Sequence, residues 1–211
     1  MRHIPAADLP GLEKVFRLNL VNSITGYKPA NLVGTADAHG ATNLAIVSSV
    51  LHLGSNPALL GFVMRPTTVA RHTYENIRAT GRYTFNHVPT GQEGAAHYTS
   101  ANFAREESEF DACGFTPEYV DGFSAPYVQE SRIKIGLELL QEMPIEANGT
   151  VLLIGRVEHI YLPEEVLRPD GSLDLVAAGT VCVSGLDGYH AVQAPVRYGY
   201  ARAGQGPQRL D

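Results

Sequence analysis

The chain is poor in cysteine. Cys113 and Cys182 are the only two, and no Cys-x-x-Cys pair occurs. That excludes a disulfide framework, a zinc ribbon and a thioredoxin-type motif. The two thiols read as buried and free in a reducing compartment, a single bridge between them being the alternative. Long apolar runs are missing too. Asn56–Met64, Thr150–Ile154 and Leu175–Val183 are the longest mainly apolar stretches, all short of the roughly 18 residues a membrane-spanning helix requires. Residues 1–8 have no apolar core, so no secretory signal is expected there. An excess of basic residues is also lacking. Sixteen Lys and Arg stand against 22 Asp and Glu, a net charge of −6, whereas a nucleic-acid binder needs a basic face to displace counterions. A cytoplasmic protein without nucleic-acid or membrane partners is expected.

The common catalytic signatures are absent as well. The sequence has no Gly-x-Gly-x-x-Gly after a strand, no phosphate-loop Gly-x-x-x-x-Gly-Lys, no His-Glu-x-x-His and no Gly-x-Ser-x-Gly. Its eight histidines are scattered without ligand spacing, so no metal site is expected. What is present is the composition of a folded protein, 44% hydrophobic and 18% charged, with no repeat or linker. One domain over residues 1–211 is expected.

Short apolar runs between turn residues predict strands: Leu32–Ala36, Asn43–Val50, Leu59–Met64, Tyr83–Val88, Arg132–Leu139, Val151–Leu162, Gly179–Gly185 and Arg197–Arg202. Asp37-Ala-His-Gly40 reads as one hairpin turn. Asn148-Gly149 reads as another, the pair supplying positive φ angles. A helix is predicted over Thr73–Thr80, with Thr73 as N-cap and Gly81 as the left-handed stop. Further helices are expected over Gly94–Ala104, Glu106–Cys113 and Glu13–Val21. This order is not a βαβ repeat. It predicts a mainly antiparallel barrel or sandwich with a few helices.

Charge is distributed unevenly. From residue 38 to 92 the only acid is Glu75, against Arg65, Arg71, Arg78 and Arg82, so this segment is +3 and the rest of the chain −9. Arg65 and Arg71 fall between a predicted strand and a predicted helix, with Thr67, Thr68 and Thr73 beside them. Helix N-termini carry unpaired N–H groups and positive potential, so arginines and hydroxyls there suit a phosphate. The alternative is that the arginines are merely solvated and Thr73 only caps. Asn43-Leu-Ala-Ile-Val-Ser-Ser49 offers a flat apolar strand with polar ends, a surface for a heteroaromatic ring or simply a hairpin strand. His97-Tyr98 could contact a substrate or only pack. The acids Glu106–Asp111 read as a solvated helix face.

Taken together, these motifs resemble the flavin reductase-like family. The resemblance runs through Thr35…Gly40-x-x-Asn43, Ser48-Ser49, Asn56-Pro57, Arg71-His72-Thr73-x-x-Asn76, Gly81…Asn86, His97…Thr99-Ser100, Ser108-Glu109-Phe110 and Gly185-Leu186-Asp187-x-Tyr189. It implies a mainly β fold, an FMN-binding split β-barrel, antiparallel and Greek-key-like, with a few peripheral helices. It implies FMN as cofactor, with Asn43, Ala45, Ile46, Val47, Ser48 and Ser49 toward the ring and ribityl chain. Arg65, Thr67, Thr68, Arg71, His72 and Thr73 would hold the phosphate. Where relatives commonly carry Asp, this chain has His72, which removes a negative charge beside that phosphate. His97 and Tyr98 are the implied substrate contacts, NAD(P)H is the implied electron donor, and the chemistry belongs to the flavin. A homodimer is implied. A carrier reduced by a redox partner protein, or a non-redox binding protein, are the alternatives.

Overall fold

The computed structural model describes residues 1–210. In chain order the strands are β1 (Lys28–Pro29), β2 (Asn31–Ala36), β3 (Thr42–Val47), β4 (Leu51–Ser55), β5 (Ala58–Met64), β6 (Arg82–His87), β7 (Pro117–Glu118), β8 (Tyr127–Val128), β9 (Lys134–Ile145), β10 (Thr150–Tyr161), β11 (Val181–Ser184), β12 (Gly188–Ala191), β13 (Arg197–Tyr198) and β14 (Arg209–Leu210). The α-helices are α1 (Lys14–Ser23), α2 (His72–Thr80), α3 (Glu93–Tyr98) and α4 (Glu109–Cys113). None of the helices is long and apolar enough to cross a membrane.

Seven antiparallel strands form one sheet in the order β3-β2-β6-β9-β10-β5-β4. It is closed on itself by aromatic packing. Phe62 of β5 meets Phe85 of β6 at 5.5 Å, edge to face, although two strands separate them in the sheet. Val33, Ile77, Tyr83, Leu137 and Leu153 fill the same interior. The opposite face of β2 is buried as well, where Leu32 joins Leu44, Phe110 and Val183 in a second core. Burial on both faces explains why β2 reads as an unbroken apolar run rather than an alternation. The small sheet β1-β11-β12 backs that second core.

Local expectations are met in type and corrected in detail. Asp37 shapes the β2–β3 turn by accepting from His39 N and Ala41 N at 2.8 and 2.9 Å. Gly81 is left-handed at φ 69°, its N–H closing α2 on Ile77 O. Thr73 is not the N-cap of α2. Arg71 holds that place without a side-chain cap. Asn148 does not take positive φ. Only Gly149 does, and a four-residue loop replaces the tight two-residue turn because both Asn148 N and Gly149 N bond Ile145 O. The helix expected over Gly94–Ala104 ends at Tyr98, and α4 begins only at Glu109. Strands β4 and β12 were not expected. Cys113 and Cys182 are free and only half-buried.

Candidate functional site

An open cleft of about 510 Å³ lies along β3. It is lined by the strand and its exit, Asn43 and Ala45–Ser49, by Arg65 and Arg71–Thr73, and by His97, Thr99–Phe103, Leu186 and Tyr189. β3 is an edge strand, and an open edge would expose unpaired N–H groups. Here side chains take the place of the missing neighbour strand. Glu109 Oε2 accepts from Leu44 N at 2.9 Å and Thr99 Oγ1 from Ile46 N at 2.8 Å. Ser108, which caps α4, bonds Thr42 through its hydroxyl at 2.7 Å. The edge is thereby sealed by α3 and α4, while Val47 packs against the barrel interior and still lines the cleft.

The positive end is built around the start of α2. Asn43 Nδ2 donates to Thr73 Oγ1 at 2.9 Å, fixing α2 to β3. The Thr73 hydroxyl proton stays available for another acceptor. Arg71 folds its loop by donating from Nε to Pro66 O at 3.3 Å, and its main-chain N–H goes to Glu75. Its terminal guanidinium nitrogens bond no described residue. Arg65 is exposed and has no acidic partner among the described residues, unlike Arg78, Arg82 and Arg105, which are ion-paired. Glu75 is occupied by Arg105. Two arginines without acidic partners among the described residues therefore flank the first turn of a nine-residue helix that has no side-chain cap, an arrangement able to receive an anion.

Ten of the twelve residues expected to hold the cofactor line this one cleft: Asn43, Ala45, Ile46, Val47, Ser48, Ser49, Arg65, Arg71, His72 and Thr73. Thr67 and Thr68 do not; they are exposed on the loop outside it. Ser49 has a structural task. Continuing the β4–β5 ladder by two residues brings it opposite Val63, and its hydroxyl both accepts from Val63 N and donates to Val63 O, at 3.1 and 3.2 Å. The Ser48 side chain is left to face the cleft. Of the expected substrate contacts, His97 lines the cleft, its Nδ1 3.2 Å from the Tyr189 hydroxyl. Tyr98 turns away and packs edge to face on Phe103. Both lie in the last turn of α3.

The sequence reading missed Glu109. It belongs to the acidic run taken for a solvated face, yet it is buried and lines the cleft. Burial pushes its carboxyl above the ordinary range. A signal existed: Glu109 stands four residues before Cys113, on the same side of the helix, so it shares the half-buried face. Tyr189 packs against the second core and also lines the cleft. Other motif residues are structural. Asn86, fully buried, donates to Leu32 O and accepts from Val128 N, tying β6 to β8. Asn76 donates to Thr35 Oγ1 at 3.2 Å.

Comparison with known proteins agrees with this arrangement. The pattern of the flavin reductase like domain matches residues 27–181. A split-barrel protein of Shewanella frigidimarina assigned as a flavin reductase is 45% identical, with a TM-score of 0.92 over 95% of this chain and 100% of its own. Flavoredoxin of Desulfovibrio vulgaris is 25% identical with a TM-score of 0.70, over 85% of this chain and 92% of its own. An FMN-binding protein from Thermus thermophilus shares the fold at 20% identity, TM-score 0.72, over 92% of this chain and 100% of its own. The sheet that closes on its own aromatic interior is thus a split barrel, and the chain belongs to the flavin reductase-like family.

Proposed function

We propose that the β3 cleft binds FMN and that the protein is an oxidoreductase taking hydride from NAD(P)H and passing electrons to a small acceptor. The observation that carries this reading is the pair of arginines without acidic partners among the described residues, beside the first turn of α2, in a cleft also lined by β3. The donor set fits the cofactor. Arg65, Arg71 and the Thr73 hydroxyl suit its phosphate, Ser48 and Asn43 offer polar groups to its chain and ring edge, and Ala45 and Val47 give apolar contact for the ring face. The FMN and flavoredoxin named in the relatives support the same choice.

Bound there, the flavin would supply the hydride and electron transfer. The chain's own task is then placement. Sealing β3 with Thr99 and Glu109 keeps the strand straight under the ring, and Asn43–Thr73 locks the phosphate end to the ring wall, so that a donor above the ring meets a fixed target. His97, held by Tyr189, can hydrogen-bond an acceptor or nicotinamide in the cleft. The deciding experiment is to load the purified protein with FMN and add NADH and NADPH in separate anaerobic cuvettes. Bleaching of the flavin bands is expected. A flavin that stays oxidised with both donors would instead favour an electron carrier reduced by a protein partner, the reading suggested by the likeness to flavoredoxin. We further propose that the working unit is a homodimer.

A further inference from the structure

One charge in the cleft wall is not explained by the phosphate end or by the strand. Glu109 is 7% exposed. Its Oε2 accepts from Leu44 N, its own main-chain N–H also bonds the carboxyl, and His72 stands beside it as a base while the nearby Glu107 opposes it. Burying a carboxylate without a paired cation is expensive. The strand does not require that expense. Two residues along, Ile46 N–H has the same need, and the neutral hydroxyl of Thr99 satisfies it at 2.8 Å. The Leu44 N–H by itself therefore does not require a charge at position 109, which stands in the first turn of α4 and faces the cleft.

Its level in the cleft is set by β3. Asn43 is tied to Thr73 at the positive end, Leu44 to Glu109 and Ile46 to Thr99. A strand advances about 3.3 Å per residue. Glu109 thus stands one step beyond the phosphate end and short of the apolar stretch that would carry the ring. In a flavin mononucleotide the part between phosphate and ring is a polyol, a row of O–H donors. A carboxylate oxygen is the strongest acceptor a side chain can offer to such donors.

The geometry points to Glu109 as the residue that binds the ribityl chain of the flavin, Oε1 accepting from a chain hydroxyl while Oε2 holds Leu44. This rests on the flavin reading of the cleft. Burial raises the carboxyl in the free protein, and a hydroxyl donor from the ligand would favour its ionised form again.

Three ligands separate the parts: FMN, riboflavin, which lacks the phosphate, and lumiflavin, which lacks the chain as well. Their dissociation constants are measured by fluorescence for the wild type and for Glu109→Gln, whose amide oxygen can still accept from Leu44 N. Glu109→Gln is expected to weaken FMN and riboflavin about tenfold and to leave lumiflavin within about twofold. Equal weakening of all three would make Glu109 a support of the strand only, and no change in any would remove it from the site. If the variant does not fold, the Glu109 side-chain carboxyl resonance of the wild type decides. It should move with riboflavin and not with lumiflavin, and the same response to both overturns the assignment. A wild type that binds none of the three takes the flavin reading with it, a failure recognisable because it precedes any difference between variants.

Discussion

Arg71 differs from most arginines of this chain in having no carboxylate to neutralise it. Arg82, Arg105 and Arg156 are each committed to an acid, and such partly exposed pairs contribute little. Arg71 spends only Nε, on Pro66 O, which aims the rest of the guanidinium without using it. A side chain held this way loses little further freedom on meeting an anion, so most of a charge-assisted hydrogen bond, about 1.5–3 kcal/mol, should appear in affinity. Arg71→Ala is therefore expected to weaken FMN roughly ten- to hundredfold and to leave riboflavin nearly unaffected. Calorimetric titration with both ligands checks it. Equal losses for FMN and riboflavin would show that Arg71 shapes the loop rather than binding phosphate.

At the scale of the element, the β9–β10 hairpin shows how the barrel interior constrains its own wall. A Cβ on Gly155 would fall on the Tyr83 hydroxyl and within 3.0 Å of Leu137 Cδ2. That hydroxyl is buried without a hydrogen-bond partner, and burial alone holds it firmly protonated. Gly155→Ala should cost about 1–3 kcal/mol through overpacking. Tyr83→Phe, which removes an unpaired buried O–H, should be neutral or slightly stabilising. Combined, they should cost less than the sum of the two, because phenylalanine removes the nearest clash, the hydroxyl oxygen, and leaves only Cζ at 2.9 Å and Leu137 Cδ2 at 3.0 Å. Urea unfolding of the three variants tests this, and strict additivity would disprove the contact. Little of this was legible in sequence, where Gly155 is one glycine among 21. Strands defined by local apolar runs, such as β2 and β5, could be read. So could Gly81, whose role depends on the helix immediately before it. Thr73 and Glu109 were misread because their partners, Asn43 and Leu44, are 30 and 65 residues away, and no local rule couples such positions. That Arg65 and Arg71–Thr73 would come together was legible because they lie in one contiguous segment. Of the residues that α3 and the β11–β12 segment bring to the cleft, His97 was read, but Leu186 and Tyr189 were not placed there.

For the whole molecule, the unresolved demand is α1. It has ten residues, and Glu13 caps it well by accepting from Val15 N and Phe16 N. Yet none of its residues is buried, and isolated helices of this length are marginal in water. Val15, Leu18 and Val21 recur at three-residue spacing, and all three stay exposed, as does Ile24 just past the helix end. Such a helix needs a surface to pack on, and a second copy offering the same helix is the simplest one, since most homo-oligomers use a self-complementary patch. The helix also reaches the cleft. Asn22 lines it, and Lys28 fastens that end of α1 to the β11–β12 turn by donating to Asn22 O and Gly185 O at 3.2 and 2.7 Å. Covering α1 would then firm one border of the cofactor cleft. Light scattering on the wild type at roughly micromolar concentration should give twice the 22.8 kDa chain mass. Leu18→Glu places a charge in the apolar strip and should return the monomer with a weaker hold on FMN. A wild type that is monomeric, or a Leu18→Glu protein that remains dimeric, would move the interface away from α1.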